Sequence, residues 1–288
     1  MTAVLLDGER LAQKIRDEVA AEVETLRARG IVPGLGTILV GDDGPSERYV
    51  AMKHEDCERV GMTSVHVHLP EDVSEETLHA TIREFNENPL VDAYLVQLPL
   101  PKHLNEERVL LAVDPDKDVD GLHPVNLGRL VMGAQGPISC TPAGIVELLA
   151  EYEVEVEGRN VVIIGRGLTI GRPLALLLAL RRPHCNAAVT VVHTGVPNLA
   201  EYTRRADVVV AAAGSPGLVT ADMVKPGAAI VAAGVTREGR KILSDVADGV
   251  EEVAGFLSPR IGGVGPMTRA MLLKNTLLAA QRRPSALT

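Results

Sequence analysis

Four short runs in the second half of the chain constrain its fold more than any other feature. "RNVVIIG" at 159–165, "AAVTVVHTG" at 187–195, "ADVVVAAAG" at 206–214 and "GAAIVAAGV" at 227–235 are almost wholly apolar and rich in β-branched residues. A strand with one wet face alternates polar and apolar side chains. These runs do not, so each is expected to be covered on both faces, as in a parallel sheet flanked by helices.

The first half follows the same logic. Leu11, Ile15, Val19, Val23 and Leu26 recur at helical spacing through residues 8–29, with Gly30 as a stop. "GLGTILVG" reads as a buried strand, 45–60 as a helix, "TSVHVHL" as a strand, and 74–87 as a helix started by Ser74. "VDAYLVQLPLP" is a further strand, ended by its prolines. "CTPAGIVELLAEY" predicts a helix with Thr141 as N-cap and Pro142 at the first helical position, placed to bridge two domains. Past "GGVGP", residues 267–282 read as one more amphipathic helix, and the tail after Gln281 as frayed.

At 288 residues the chain suits two domains. The expected fold is α/β: residues 1–141 with 267–288 form one domain and 142–266 a second, Rossmann-like one, with a ligand cleft between them. A net charge of −9 argues against a nucleic-acid surface, which needs clustered Lys and Arg. Cys57, Cys140 and Cys185 show no metal spacing and read as packing residues of a reducing compartment, so no metal is expected. The N-terminal apolar run is broken by Asp7, Glu9 and Arg10, unlike a signal peptide, and no stretch approaches the roughly 18 apolar residues of a membrane span. The expectation is a cytoplasmic protein.

"VVIIGRGLTIGRP" at 161–173 carries Gly165, Gly167 and Gly171, one residue longer than the G-x-G-x-x-G spacing. A strand, a glycine turn and a helix start offer free N–H groups and a positive dipole end to a phosphate, and Pro173 reads as the first helical residue. The same glycines also suit a purely structural βα turn. An NAD site usually ends the next strand with an acid for the ribose hydroxyls. Here that strand ends in His193 and Thr194, while Arg166 sits in the loop, which favours a 2′-phosphate and hence NADP. The alternative reading of Arg166 is a solvated loop arginine.

In the first half, Tyr49 and Lys53 stand at i and i+4 on one helix face, a spacing also common for plain surface packing. Gln97 ends a strand at the sheet end where open α/β folds bind ligands. "DPDKDVDG" offers Asp114, Asp116, Asp118 and Asp120 but lacks the ligand set of a calcium loop. Each feature alone is ordinary.

Together, "YVAMK" at 49–53, "VQLPLP" at 96–101, "DKDVDGLHPVNLGRL" at 116–130, "CTPAGI" at 140–145, the Gly165–Gly171 loop and "GGVGPMTRAMLLKNT" at 262–276 resemble the methylenetetrahydrofolate dehydrogenase/cyclohydrolase family, in order and over essentially the whole chain. The resemblance implies a homodimeric folate enzyme. It would oxidise 5,10-methylenetetrahydrofolate to the methenyl cation with NADP, then hydrolyse the cation to 10-formyltetrahydrofolate. It assigns Lys53 as the catalytic lysine, Gln97 as its partner, Tyr49 as the ring stacked on the folate and Asp120 as the carboxylate that holds the pterin. Val96, Leu98, Gly262, Gly263, Val264, Gly265 and Pro266 would line the folate site; Gly165, Arg166, Gly167, Gly171, Thr194 and Val235 would meet the nucleotide. Three positions depart from the family pattern: Gly167 where many relatives carry Ser, Ala232-Ala233 for Asp-Val, and Ile261 for Pro. Two rival readings remain at this level, a dehydrogenase for another small substrate and an NADP-binding regulator without chemistry. The first lacks an evident Arg pair for a substrate carboxylate; the second does not explain the intact Tyr49, Lys53, Gln97 and Asp120.

Overall fold

The structure, a computed structural model, describes residues 2–239 and 241–283, the side chain of Arg237 excepted. In chain order the first part runs β1 (Val4–Leu5), α1 (Gly8–Arg27), β2 (Gly34–Val40), α2 (Gly44–Arg59), β3 (Thr63–Leu69), α3 (Glu75–Glu87), β4 (Ala93–Val96), α4 (Glu106–Ala112) and α5 (Pro124–Val131). It continues with α6 (Cys140–Glu151), β5 (Asn160–Ile164), α7 (Gly171–Ala179), β6 (Ala188–Val192), α8 (Ala200–Thr203), β7 (Val208–Ala211), β8 (Ala229–Ala232), β9 (Val235–Glu238), β10 (Lys241–Ser244), β11 (Phe256–Leu257) and α9 (Val264–Ala280).

The chain forms two compact units. One comprises residues up to Ala12 with Thr141–Thr268, the other Gln13–Cys140 with Arg269 onward. Residues 2–12 therefore fall outside the N-terminal domain, whereas the sequence had suggested that they belong to it. The cause is β1, whose Val4 and Leu5 pair in parallel with Phe256 and Leu257. A two-residue strand carries too little periodicity to be read from sequence.

The three-stranded unit holds a parallel sheet in the order β3-β2-β4. Every residue of β2 and β4 is buried, and Ile38, Tyr94 and Val96 pack with Leu78, Ile82 and Phe85 of α3. Ser74 caps α3 as expected, accepting the Thr77 N–H at 3.1 Å. Asp43 does the same for α2: its carboxylate accepts the Ser46 N–H at 3.0 Å, with Pro45 in the first turn.

The six-stranded unit holds a wholly parallel sheet in the order β1-β11-β8-β7-β5-β6, and β9 and β10 form an antiparallel hairpin. The four apolar runs are β5 to β8. The edge strand β6 is more exposed than its sequence suggests, and among the described residues no strand pairs with its outer side. Two helix starts also differ. Thr141 lies inside α6 rather than capping it, and its hydroxyl meets that of Thr268 at 2.9 Å. Pro173 is the third residue of α7, still within the turn whose N–H groups have no intrahelical acceptor. The last helix begins at Val264, so it absorbs the end of the glycine-rich segment. The tail after Gln281 is described only to Arg283; the remainder of that expectation lies outside the described residues.

Candidate active site and cofactor pocket

In each sheet the chain leaves a central strand, pairs on one side and then returns to pair on the other, at β2 in one unit and β5 in the other. The carboxyl ends of strands at such switch points are where open α/β sheets bind ligands.

At the β2/β4 end of the three-stranded unit, α2 projects Tyr49 and Lys53 from one face. The chain leaves β4 at Gln97, whose N–H is tied to the Ile38 carbonyl at 2.8 Å. Lys53 is buried, with 3% exposure, and donates from Nζ to Gln97 Oε1 at 3.0 Å. The Gln97 amide is oriented by its own Nε2–H bond to the Leu98 carbonyl, 2.7 Å long, which directs the acceptor oxygen toward the lysine. Lys53 Nζ also lies 4.8 Å from the centroid of the Tyr49 ring, within cation–π range. Burial lowers the Lys53 pKa, with Asp120 opposing that shift. Burial likewise raises the Asp120 pKa, which Lys53 counters, and raises that of Tyr49.

Of the four aspartates singled out, only Asp120 belongs to this group. Asp118 is buried and structural, accepting the His123 N–H at 2.8 Å and the Asn126 amide at 2.9 Å. Asp114 accepts the Asp116 N–H, and Asp116 pairs with Arg129 at 3.0 Å. Val96 and Leu98 flank Gln97 directly. Gly262–Pro266 belong to the six-stranded unit, where Gly263 packs so closely that a Cβ would lie 2.3 Å from the Pro259 carbonyl oxygen.

Residues the sequence reading passed over also build this site. Cys140, which reads from sequence as a packing residue, is buried, donates from Sγ to the Val119 carbonyl at 3.3 Å, and opposes the burial-driven rise of the Asp120 pKa. Asn275 of α9 donates from Nδ2 to the carbonyls of Val119 and Ile138 at 2.9 and 3.0 Å, fixing the residue before Asp120. Arg269, also on α9, pairs with Asp56 at 2.8 Å, one turn beyond Lys53 on α2. The contacts of Asn275 and Arg269 span 130 residues or more of sequence, so no local pattern announces them.

At the β5/β7 end of the six-stranded unit lies a cavity of about 460 Å³, of small-ligand size. Gly165, Arg166, Gly167 and Thr194 line it, as expected. His193, Ala212, Ala213, Ser215 and Leu218 line it too, supplied by the ends of β6 and β7 and the segments that follow. Gly165 has φ +120°, and a Cβ there would lie 2.1 Å from the Ala212 carbonyl oxygen, so no side chain fits. Gly171 supports the loop from behind: a Cβ would meet the Gly165 carbonyl oxygen at 2.2 Å. Gly167 is exposed with open space around it, so packing does not demand a glycine at that departure from the family pattern. Val235, half exposed at the start of β9, is not a lining residue of this cavity, nor is Gly171.

Arg166 Nη1 lies 3.3 Å from His193 Nε2. His193 Nδ1 accepts the Gly195 N–H at 3.1 Å, which in a neutral ring leaves the proton on Nε2. Two N–H donors then face one another beside the cavity. An anion with several acceptor oxygens resolves that opposition, which suits a phosphate.

Two family models match the chain. The catalytic-domain model of tetrahydrofolate dehydrogenase/cyclohydrolase covers residues 6–120, and the NAD(P)-binding-domain model of the same family covers 139–284. A curated bifunctional protein FolD from Syntrophotalea carbinolica is 54% identical over 283 residues, 98% of each chain. Among solved structures, the bifunctional FolD dehydrogenase/cyclohydrolase of Campylobacter jejuni aligns with a TM-score of 0.94 at 41% identity, over 98% of this chain and 100% of that one. The Trypanosoma brucei FolD, solved with NADP cofactor and an inhibitor, aligns with a TM-score of 0.92 at 38% identity over 98% of both.

Proposed function

Because the chain belongs to the tetrahydrofolate dehydrogenase/cyclohydrolase family, we propose that Tyr49, Lys53, Gln97 and Asp120 are the groups that meet the folate. The protein is a bifunctional enzyme: it oxidises 5,10-methylenetetrahydrofolate to the methenyl form with NADP and hydrolyses that product to 10-formyltetrahydrofolate. The observation that carries the residue assignment is the buried Lys53–Gln97 bond, with the Tyr49 ring over the amine and Asp120 acting on its charge.

Bound NADP would supply the hydride acceptor. The glycines of the Gly165–Gly171 loop would let backbone N–H groups approach its phosphates, and Arg166 with His193 and Thr194 would hold the 2′-phosphate. On the folate side, Asp120 accepts the paired N–H donors of the pterin's amino-pyrimidine edge, and Tyr49 stacks on the flat heterocycle. The electron push for hydride departure comes from the folate nitrogens, so that step asks the protein only for position. Hydrolysis asks for more. The attacking water must lose a proton, and the ring nitrogen must gain one as the ring opens. Lys53 in its neutral form takes the first and, as the ammonium, returns it. Gln97 accepts an N–H from either form, so it orients the amine without fixing its charge.

The same reading extends to a homodimer working in the cytoplasm. All three cysteines are free and buried, as suits a reducing compartment. The test is a spectrophotometric assay of the purified protein with methylenetetrahydrofolate and NADP, followed at the methenyl and NADPH bands and by chromatography for the 10-formyl product. NADPH without 10-formyltetrahydrofolate above the spontaneous rate would remove the hydrolytic role from Lys53.

A further inference from the structure

The wall of the cofactor cavity after β7 is held by a carboxylate that does not line the cavity. Asp245, immediately after β10, is fully buried. Its Oδ2 accepts the N–H groups of Ala213 and Gly214 at 2.7 and 2.9 Å, and its Oδ1 that of Ser215 at 2.7 Å. Three successive N–H groups converging on one anion form a nest, the arrangement that loops otherwise use to seize phosphate. Gly214, at φ +65°, supplies the left-handed turn that aims them together. Close approach is possible because residue 234 is a glycine: a Cβ there would stand 1.8 Å from Asp245 Oδ2.

The rest of the loop is sewn to the same hairpin. Gly217 N–H donates to the Ser244 carbonyl at 2.9 Å, Val219 N–H to the Asp245 carbonyl at 2.9 Å, and the Thr236 hydroxyl to the Gly214 carbonyl at 3.1 Å. Ala212, Ala213, Ser215 and Leu218 of this loop face the cavity.

We propose that Asp245 is a positioning residue for NADP. It is a resident anion that fixes the 212–218 wall, and by filling the nest it denies that loop to the cofactor's pyrophosphate, leaving the Gly165–Gly171 loop as the phosphate seat. It acts through the loop and touches no cofactor atom. The proposal rests on the cofactor assignment above.

The test uses the full-length protein and titration of NADPH by its own fluorescence, together with separate KM values for NADP and methylenetetrahydrofolate. Asp245→Asn turns an acceptor oxygen into an NH₂ group facing backbone N–H donors. Gly234→Ala keeps the carboxylate but drives it off the nest. Charge-assisted bonds of this kind convert to roughly tenfold or more in affinity, so each variant is expected to raise the NADPH Kd and the NADP KM by at least about that factor. The methylenetetrahydrofolate KM, taken at saturating NADP, is expected to hold. Unchanged NADPH affinity in both variants overturns the proposal, as does a parallel rise in both KM values, which marks a general loss of fold. If Asp245→Asn does not fold, Gly234→Ala decides alone. A parent protein that fails to bind NADPH would overturn the cofactor assignment itself.

Discussion

At position 53 an amine stands 3.0 Å from Gln97 Oε1 and 4.8 Å from the Tyr49 centroid, with water largely excluded. Burial lowers its pKa from 10.5, and a cationic methenyl substrate pushes the same way. The sign has two consequences. The unfolded lysine binds more protons, so this group's contribution makes stability rise with pH between the lowered value and 10.5. The neutral amine also becomes available below 10.5, so the cyclohydrolase rate of the parent is expected to climb with pH through the lowered pKa. Lys53→Gln is expected to remove that limb and to cut hydrolysis by about 10²–10⁴-fold. NADP-dependent oxidation should remain measurable and methenyl product should accumulate, which stopped-flow absorbance with purified methenyltetrahydrofolate as a second substrate would detect. Hydrolysis near the parent rate would pass the proton to another group. Arg166 carries the second residue-scale prediction. Its facing donor at His193, and the absence of an acid at the end of β6, favour a phosphate over a bare ribose. Arg166→Ala is expected to weaken NADP by about one to two decades, from about 1.5–3 kcal/mol of charge-assisted bonding, and NAD far less. Parallel titrations of the two cofactors check it, and equal losses would exclude contact with the 2′-phosphate.

Among the elements, the βα turn from β5 to α7 is defined by close approach. A Cβ at residue 171 would overlap the Gly165 carbonyl, and one at residue 165 the Ala212 carbonyl, so the two outer glycines are fixed by backbone while Gly167 has open space. Overpacking of this kind costs about 1–3 kcal/mol. Gly171→Ala is therefore expected to lower the melting temperature by roughly 2–4 °C per kcal/mol and to weaken NADP as the loop shifts. Gly167→Ser should do neither by steric means. Calorimetry with and without NADP separates the two, and a Gly171→Ala protein melting like the parent would show that the loop yields easily. The same elements show what a pattern can carry. β2, β4, β5, β7 and β8 are legible because burial on both faces leaves almost no polar position, and α1, α2 and α3 because their apolar positions recur at helical spacing. α4 and α5 have fewer than nine residues each, too short to establish a period.

For the molecule as a whole, the proposed homodimer has a direct check: light scattering coupled to size exclusion should return about twice 30.6 kDa at working concentration, and a monomer mass would end that part of the reading. No helix among the described residues is long and apolar enough to cross a membrane, in line with the sequence. What the sequence determined by itself is the set of short-range facts. Valine-rich runs demand burial, Ser74 caps the helix beside it, i and i+4 put Tyr49 and Lys53 on one face, and six motifs in order identify the family. The tertiary structure decided whatever depends on residues far apart in the chain. It put β1 into the six-stranded sheet, because a strand of two residues finds its pairing partner at β11, some 250 residues away. It brought Gln97 to Lys53 and left Asp114, Asp116 and Asp118 to structural bonds, so that one aspartate of four acts on the lysine. It also set Asp245 beneath a loop 30 residues earlier, where three N–H groups meet one carboxylate. Hydrogen bonding and desolvation act over a few ångströms, and only folding determines which distant residues come within that reach.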